Sequence, residues 1–276
     1  MTNPSTITAN APAGERLRKA AVYGQSLLPP ILSAVVVLGL WEAAVRTYSI
    51  PAYLLPAPSL VFEVLIDKFP MLMRQLGFTA MASAIGFFIA LISGIAIGAA
   101  ISAWHVFDRA IYPWLVISHA IPKVVIAPLF LVWFGFGMTS EVLFVVVFTF
   151  FPIIVNTVAG LKGADPEMLQ MARSMSATPL KVLWKIKIPG ALPTIFAGIK
   201  ISATMAPVGA VIGEFVASNV GLGHVLIQAV GSLETPLAFA AVVVISIFGI
   251  IVWYAAEALE RVSIPWHASQ RISTTG

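Results

Sequence analysis

The chain has 276 residues, of which 59% are apolar and only 10% charged, and its 16 Lys and Arg against 12 Asp and Glu leave a net charge of +4. The mean hydropathy is +0.96. A soluble domain carries roughly 25% charged residues, so this composition leaves too little polar surface to cover a globule in water. A water-soluble enzyme and a nucleic-acid-binding domain are both excluded, and the basic excess is ascribed to membrane topology and anionic lipid head groups. Without cysteine there is no disulfide framework, no thiolate metal site and no thiol nucleophile.

In chain order, residues 1–26 read as a disordered cytoplasmic tail, polar at first and closed by Arg16, Arg18 and Lys19. Residues 27–74 hold a first span, Leu27 to Val45, and a periplasmic connector. That span is an uncleaved anchor, because Glu42 spoils a signal-peptidase site and the polar stretch before it is long. Five further segments reach the roughly 20 apolar residues of a bilayer-crossing helix: Phe78 to Ala103, Tyr112 to Phe136, Val142 to Leu161, Pro193 to Val216 and Leu237 to Leu259. The expectation is therefore an all-α membrane protein with spans 2 to 6 inside residues 75–259, and a cytoplasmic tail over 260–276.

Orientation follows the lysine and arginine bias. Arg109, Arg173, Lys181, Lys185 and Lys187 fall in loops on the same side as the basic N-terminal tail, and Arg261 and Arg271 end there too. Both termini are expected to be cytoplasmic. Gly86, Gly94 and Gly98 recur along one side of the second span, a spacing for close helix approach, either within the subunit or at a subunit interface.

The loop "KGADPEMLQMARSMSATPLKVLWKIKIPGALP" between the fourth and fifth spans carries two helix starts. Asp165 with Pro166 and Glu167 gives an N-cap, a first-position proline and an acid at the positive end of the dipole. Met168, Met171, Ala172 and Met175 then form one apolar stripe, with Glu167, Gln170, Arg173 and Ser174 on other faces. Thr178 and Pro179 begin a second short helix whose Lys181 and Lys185 oppose Val182, Leu183 and Ile186, and Pro189, Gly190 and Pro193 are expected to break it before the next span. Periodicity leaves two readings open: a topology-setting element resting on lipid, or a methionine surface that docks on a cytoplasmic partner.

"EMLQMARSMSATPLKVLWKIKIPGALP" resembles the signature loop of binding-protein-dependent ABC transporter permeases, the MetI-like family. There a Glu-Ala-Ala triplet is followed after three residues by glycine and later by a proline-bearing ending. Gln170, Met171 and Ala172 occupy the triplet, of which only Ala172 matches; Ser176 takes the glycine position, and Ile188 with Pro189 falls near the ending. "IPAYLLPAPSLVFEVL", "SHAIPKVVIAPLFLVWFGFG", "FFPIIVNTVAGLKG", "GEFVASNVGLGHVLIQA" and "WHASQR" extend the likeness over nearly the whole chain after Ile50, towards the branch importing nitrate, sulfonates, taurine, thiamine-pyrimidine precursors and riboflavin.

The resemblance implies a type I importer fold with a cytoplasmic coupling helix pair, and residues 75–259 as its transmembrane domain. It implies that Met168, Gln170, Met171, Ala172, Arg173, Ser174, Met175, Ser176 and Ala177 transmit movement from cytoplasmic ABC ATPase subunits. It further implies a second copy of the chain as partner, and a periplasmic or lipid-anchored solute-binding protein, all in a bacterial inner membrane. ATP and Mg are expected on the ATPase partner and no cofactor in this chain, which has no GxxxxGK[ST] phosphate loop.

Polar residues at membrane depth are candidates for the path. Lys123, after Pro122 and close to His119 and Ser118, lies in a span that Pro122 and Pro128 are expected to interrupt, and is either an attractor for an anionic solute or a snorkelling cation. Asn156 and Thr157 either line a passage or hydrogen-bond between helices. Lys200 is about 10 Å along its helix from Pro193, within snorkelling reach of the interface. Glu214, before the turn allowed by Gly221 and Gly223, is a gate residue or an ion-pair partner.

The function expected is that of the permease subunit of an ATP-driven importer for a small anionic or heteroaromatic solute. A secondary transporter or channel is the rival; a membrane-embedded enzyme is disfavoured, since His105, His119, His224 and His267 are scattered and neither catalytic nor metal-ligating residues stand out.

Overall fold

The computed structural model describes residues 13–119 and 121–264. The opening of the N-terminal tail, the "WHASQR" ending with His267 and Arg271, and the side chains of Ser118 and His119 lie outside the described residues. The described chain is helical: α1 (Ala13–Thr47), α2 (Pro58–Asp67), α3 (Phe69–Ala103), α4 (His105–His119), α5 (Ala127–Phe134), α6 (Met138–Lys162), α7 (Pro166–Ser174), α8 (Pro179–Val182), α9 (Ile188–Ala217), α10 (Leu222–Gly231) and α11 (Thr235–Ser263).

Two compact units divide the chain, residues 1–63 and 64–276. In the first, α1 begins at Ala13, well inside the segment expected to be disordered. Residues 15–21, "ERLRKAA", are good helix formers, and no proline falls inside the helix before Pro29. Near its end the Glu42 carboxylate takes the Ser59 backbone N–H at 3.0 Å, the Ser59 hydroxyl at 2.8 Å and Arg46 Nε at 2.6 Å. Glu42 thereby satisfies a first-turn amide of α2 that has no partner within its own helix.

The second unit is a bundle built on α3, α6 and α9. Helices α3 and α6 run parallel, and α4 and α5 carry the chain back between them. Gly86, Gly94 and Gly98 make the close contact. A Cβ on them would stand 2.5 Å from Val145 Cβ, 2.9 Å from Ile153 Cγ2 and 2.7 Å from Thr157 Cβ. The glycine side of the second span thus packs within the chain. Helix α9 runs antiparallel to α6, with Gly198 against Asn156 and Gly213 against Glu141. Ser202 Oγ donates to the Thr149 carbonyl across this interface at 2.7 Å.

Among the described residues five helices, Pro29–Thr47, Phe69–Ala103, Met138–Lys162, Leu180–Ala217 and Thr235–Ser263, are long and apolar enough to cross a membrane. The third expected span, Tyr112 to Phe136, is instead α4, a 3-10 turn over Lys123–Ile126, and α5. Pro122 is extended at ψ 98° and caps that turn, so the expected interruption is there, but it divides the segment into two short helices.

A larger correction concerns the fifth span. Pro189, Gly190 and Pro193 do not break the chain: α8 passes through a π turn over Leu183–Lys187 directly into α9. The Ile188 N–H bonds to the Leu183 carbonyl rather than to that of Trp184. The widened turn falls directly before Pro189, which has no N–H to give. Loop helix and span form one continuous run of helix.

Candidate functional site

Three groups of residues carry chemistry. The first is the end of the bundle where α3 and α6 finish and α9 begins. Asp165 caps α7 as its sequence implies, its carboxylate accepting the Glu167 N–H at 2.8 Å; Thr178 Oγ1 accepts the Lys181 N–H at 3.4 Å. Between them the chain turns at Ser176, whose φ is +53°, the left-handed region that glycine adopts without penalty. Ser176 thus makes the bend at the glycine position of the motif.

The stripe on α7 divides. Ala172 is 5% exposed, whereas Met168, Met171 and Met175 are 44%, 56% and 74% exposed. Gln170 and Ser174 are also exposed, the Ser174 hydroxyl turned back to the Gln170 carbonyl at 3.1 Å. Arg173 and Ala177 line a groove facing the opposite way, against the end of α3. Three adaptable thioether side chains therefore stand free on one face, and the buried face is held by small residues. On the second element Lys181 and Lys185 are exposed and Val182, Leu183 and Ile186 are half-buried, as the pattern implies.

The second group surrounds Lys123. Its Nζ lies 4.8 Å from the Phe151 ring centroid and 5.6 Å from that of Phe148, within cation–π range. Among the described residues no carboxylate comes within 4.0 Å of it. At 1.5 Å per residue, Phe148 and Phe151 are about 15 and 20 Å from the start of α6, which is 25 residues long. The ammonium thus lies alongside the middle of α6 rather than near either of its ends. Pro122 is exposed beside it. Asn156 neither bridges helices nor joins this group: its Nδ2 donates to the Pro152 carbonyl of its own helix at 2.8 Å. Thr157 likewise bonds its own helix, at Ile153 O, 2.7 Å.

The third group closes the other end. Glu214 is buried and accepts the Gly223 N–H on Oε2 at 2.6 Å. The two preceding amides are taken by α3: Gly221 N–H by Gln75 Oε1 at 2.7 Å, and Leu222 N–H by Thr79 Oγ1 at 2.9 Å. Three successive backbone donors at the start of α10 are thus satisfied by side chains from α3 and α9, as a buried helix start requires. Among the described residues no cation pairs with Glu214, so the ion-pair alternative fails. Gly221 has φ +95°, and a Cβ there would strike the Glu214 carboxylate.

Gln75 and Thr79 went unnoticed in the sequence, although two polar residues four apart at the start of an apolar span are a readable signal. Lys200 also differs from expectation. It does not snorkel but pairs with Glu260 of α11 at 2.7 Å, near the Trp253 ring. Among the described residues no group of three or more His, Cys, Asp or Glu is placed to hold a metal.

Comparison with known proteins fits this arrangement. The family described as "Binding-protein-dependent transport system inner membrane component" matches residues 90–263. The chain is 32% identical over 248 residues to the formylaminopyrimidine transport permease protein ThiX of Halalkalibacterium halodurans, covering 88% of this chain and 97% of that one. It is 35% identical over 244 residues to the riboflavin transport system permease protein RibX of Chloroflexus aurantiacus, covering 86% and 90%. With the taurine transport system permease protein TauC of Escherichia coli it shares 28% over 239 residues, covering 84% and 87%. Among solved structures, the inward-facing MetNI methionine ABC transporter superposes with a TM-score of 0.61 at 19% identity, covering 71% of this chain and 97% of that one. Permeases of this fold work with ATPase and substrate-binding partners. A bundle of apolar spans with a capped, methionine-faced loop belongs with these proteins: the chain is a member of the binding-protein-dependent transport system inner membrane component family, the permease subunit of an ABC importer.

Proposed function

We propose that this permease forms, as a homodimer, the inner-membrane path for a small anionic or heteroaromatic solute. Cytoplasmic ATPase subunits that bind ATP and Mg drive it, and a periplasmic or lipid-anchored binding protein supplies it. Residues 75–259 are the transport domain, and both termini are cytoplasmic, as the basic loops imply. The observation that carries the solute class is Lys123: an ammonium alongside the middle of α6 with aromatic faces but no carboxylate among the described residues. A cation in that setting is expensive for a membrane protein to keep, and an incoming anion offsets that expense. Phe148 and Phe151 favour the heteroaromatic reading as well, since their faces suit a planar ring. Relatives named for formylaminopyrimidine, riboflavin and taurine span the same two solute classes.

The free face of Met168, Met171 and Met175 is the docking surface for the ATPase, with Asp165 to Ile188 as the coupling segment. Glu214, with Gln75 and Thr79, fastens the loop that shuts the periplasmic end. Changing Met171 and Met175 together to Asp is expected to abolish co-purification of the ATPase from detergent extract; an intact complex with unchanged uptake overturns the docking assignment. For the solute, uptake of nitrate, taurine and riboflavin is measured in cells expressing the whole importer. If the solute carried is an anion, Lys123→Gln is expected to lower its accumulation by at least about tenfold, a loss of roughly 1.4 kcal/mol. Undiminished uptake removes Lys123 from the path.

A further inference from the structure

The face of α7 turned away from the methionines borders a groove of about 840 Å³, within the size range of ligand sites. One wall is the last two turns of α3, where Ala96, Ala99, Ala100 and Ala103 share a face. Trp104 stands at its lip, 58% exposed, an indole at the level where tryptophans mark a membrane interface. Arg173 and Lys187 line the groove and, among the described residues, no carboxylate does. Among the described residues neither cation has a carboxylate within 4.0 Å.

We propose that this groove binds one acidic phospholipid, its phosphate between Arg173 and Lys187 and an acyl chain along the alanine face of α3. The apolar wall belongs to a membrane-spanning helix, so it is continuous with the hydrocarbon region, while the two cations sit where that helix ends. An acidic lipid matches both the apolar floor and the unpaired charge. The two ends of the chain are poor occupants, because the start of α1 brings Arg16, Arg18 and Lys19 against a single Glu15, and the C-terminal residues bring Arg271, to a site already cationic. The groove joins α3 to the segment that enters α9, so a bound lipid ties the loop to the bundle. The proposal rests on the cytoplasmic placement of this loop only for the leaflet that supplies the lipid.

The test is native mass spectrometry of the full-length permease, exchanged into mixed micelles with phosphatidylglycerol or with phosphatidylcholine. Wild type is expected to retain one phosphatidylglycerol per chain, at least tenfold over phosphatidylcholine. Arg173→Gln with Lys187→Gln is expected to remove the preference. Lys181→Gln with Lys185→Gln takes the same charge from exposed positions that do not line the groove, and is expected to leave it intact. Ala100→Phe fills the floor without altering charge and is expected to abolish retention. Equal loss in the two double variants means diffuse charge attraction and overturns the site, as does wild type without preference or an Ala100→Phe variant that still retains lipid. Should Arg173→Gln with Lys187→Gln fail to fold, the wild-type preference and Ala100→Phe decide the matter. Labelling of Ser174→Cys from either side of the membrane reports orientation independently, so failure of the one reading is distinguishable from failure of the other.

Discussion

Ser176 and Gly221 make opposite predictions from the same rule. At φ +53° Ser176 occupies a backbone region disfavoured by about 1 kcal/mol or more for a side chain with a Cβ. Ser176→Gly is therefore expected to raise the melting temperature in detergent, by a stabilisation of about 1 kcal/mol offset partly by the freer unfolded chain. Gly221→Ala meets both the strained φ and the Glu214 carboxylate; it is expected to lower stability by about 2 kcal/mol or more and to abolish uptake. An alanine variant with wild-type melting and transport removes the fastening role given to this loop. Both caps on the coupling loop were readable from the sequence because Asp165 and Thr178 act on amides two or three residues away. The partner that Gly221 finds in Gln75 is 146 residues distant, and no local pattern announces it.

Helix against helix, the interfaces differ in what holds them. Between α3 and α6 it is absence of bulk: Gly98→Val pushes a branched side chain into Thr157 and is expected to destabilise by about 1–3 kcal/mol, read as a lower melting temperature. Between α9 and α11 it is a mostly buried ion pair, Lys200 with Glu260. Glu260→Gln alone strands the ammonium and is expected to cost about 3 kcal/mol, whereas Lys200→Met with Glu260→Leu is expected to cost much less. Equal losses in the single and double variants contradict that account. Apart from the third, which is two short helices, the spans were legible because apolar length is a property of each segment taken alone. The pair was not, since Lys200 read in isolation has only the interface to reach for. Pro189 misled in another way: a proline stops an ideal α-helix, but a single widened turn removes the conflict, and nothing in composition distinguishes the two outcomes.

At the scale of the whole molecule, transport needs what happens at one face to be felt at the other, and the chain provides one uninterrupted element for it. From Leu180 to Ala217 there are 38 residues of helix, about 57 Å at 1.5 Å each. The near end carries the loop proposed to couple to the ATPase, the far end carries Glu214, and the Ser202 hydroxyl bonds the middle to α6. Family and fold were legible here because their motifs are spread along the chain; the identity of the solute was not, because it turns on a few side chains such as Lys123 whose surroundings only folding assembles. A beam fastened near its midpoint behaves as a seesaw: tilting one tip requires the opposite tip to swing the other way. Spin labels at Leu180→Cys and Phe215→Cys, each paired with a reference label on α6, are expected to report interhelical distances that change with opposite sign when nucleotide is added to the assembled importer.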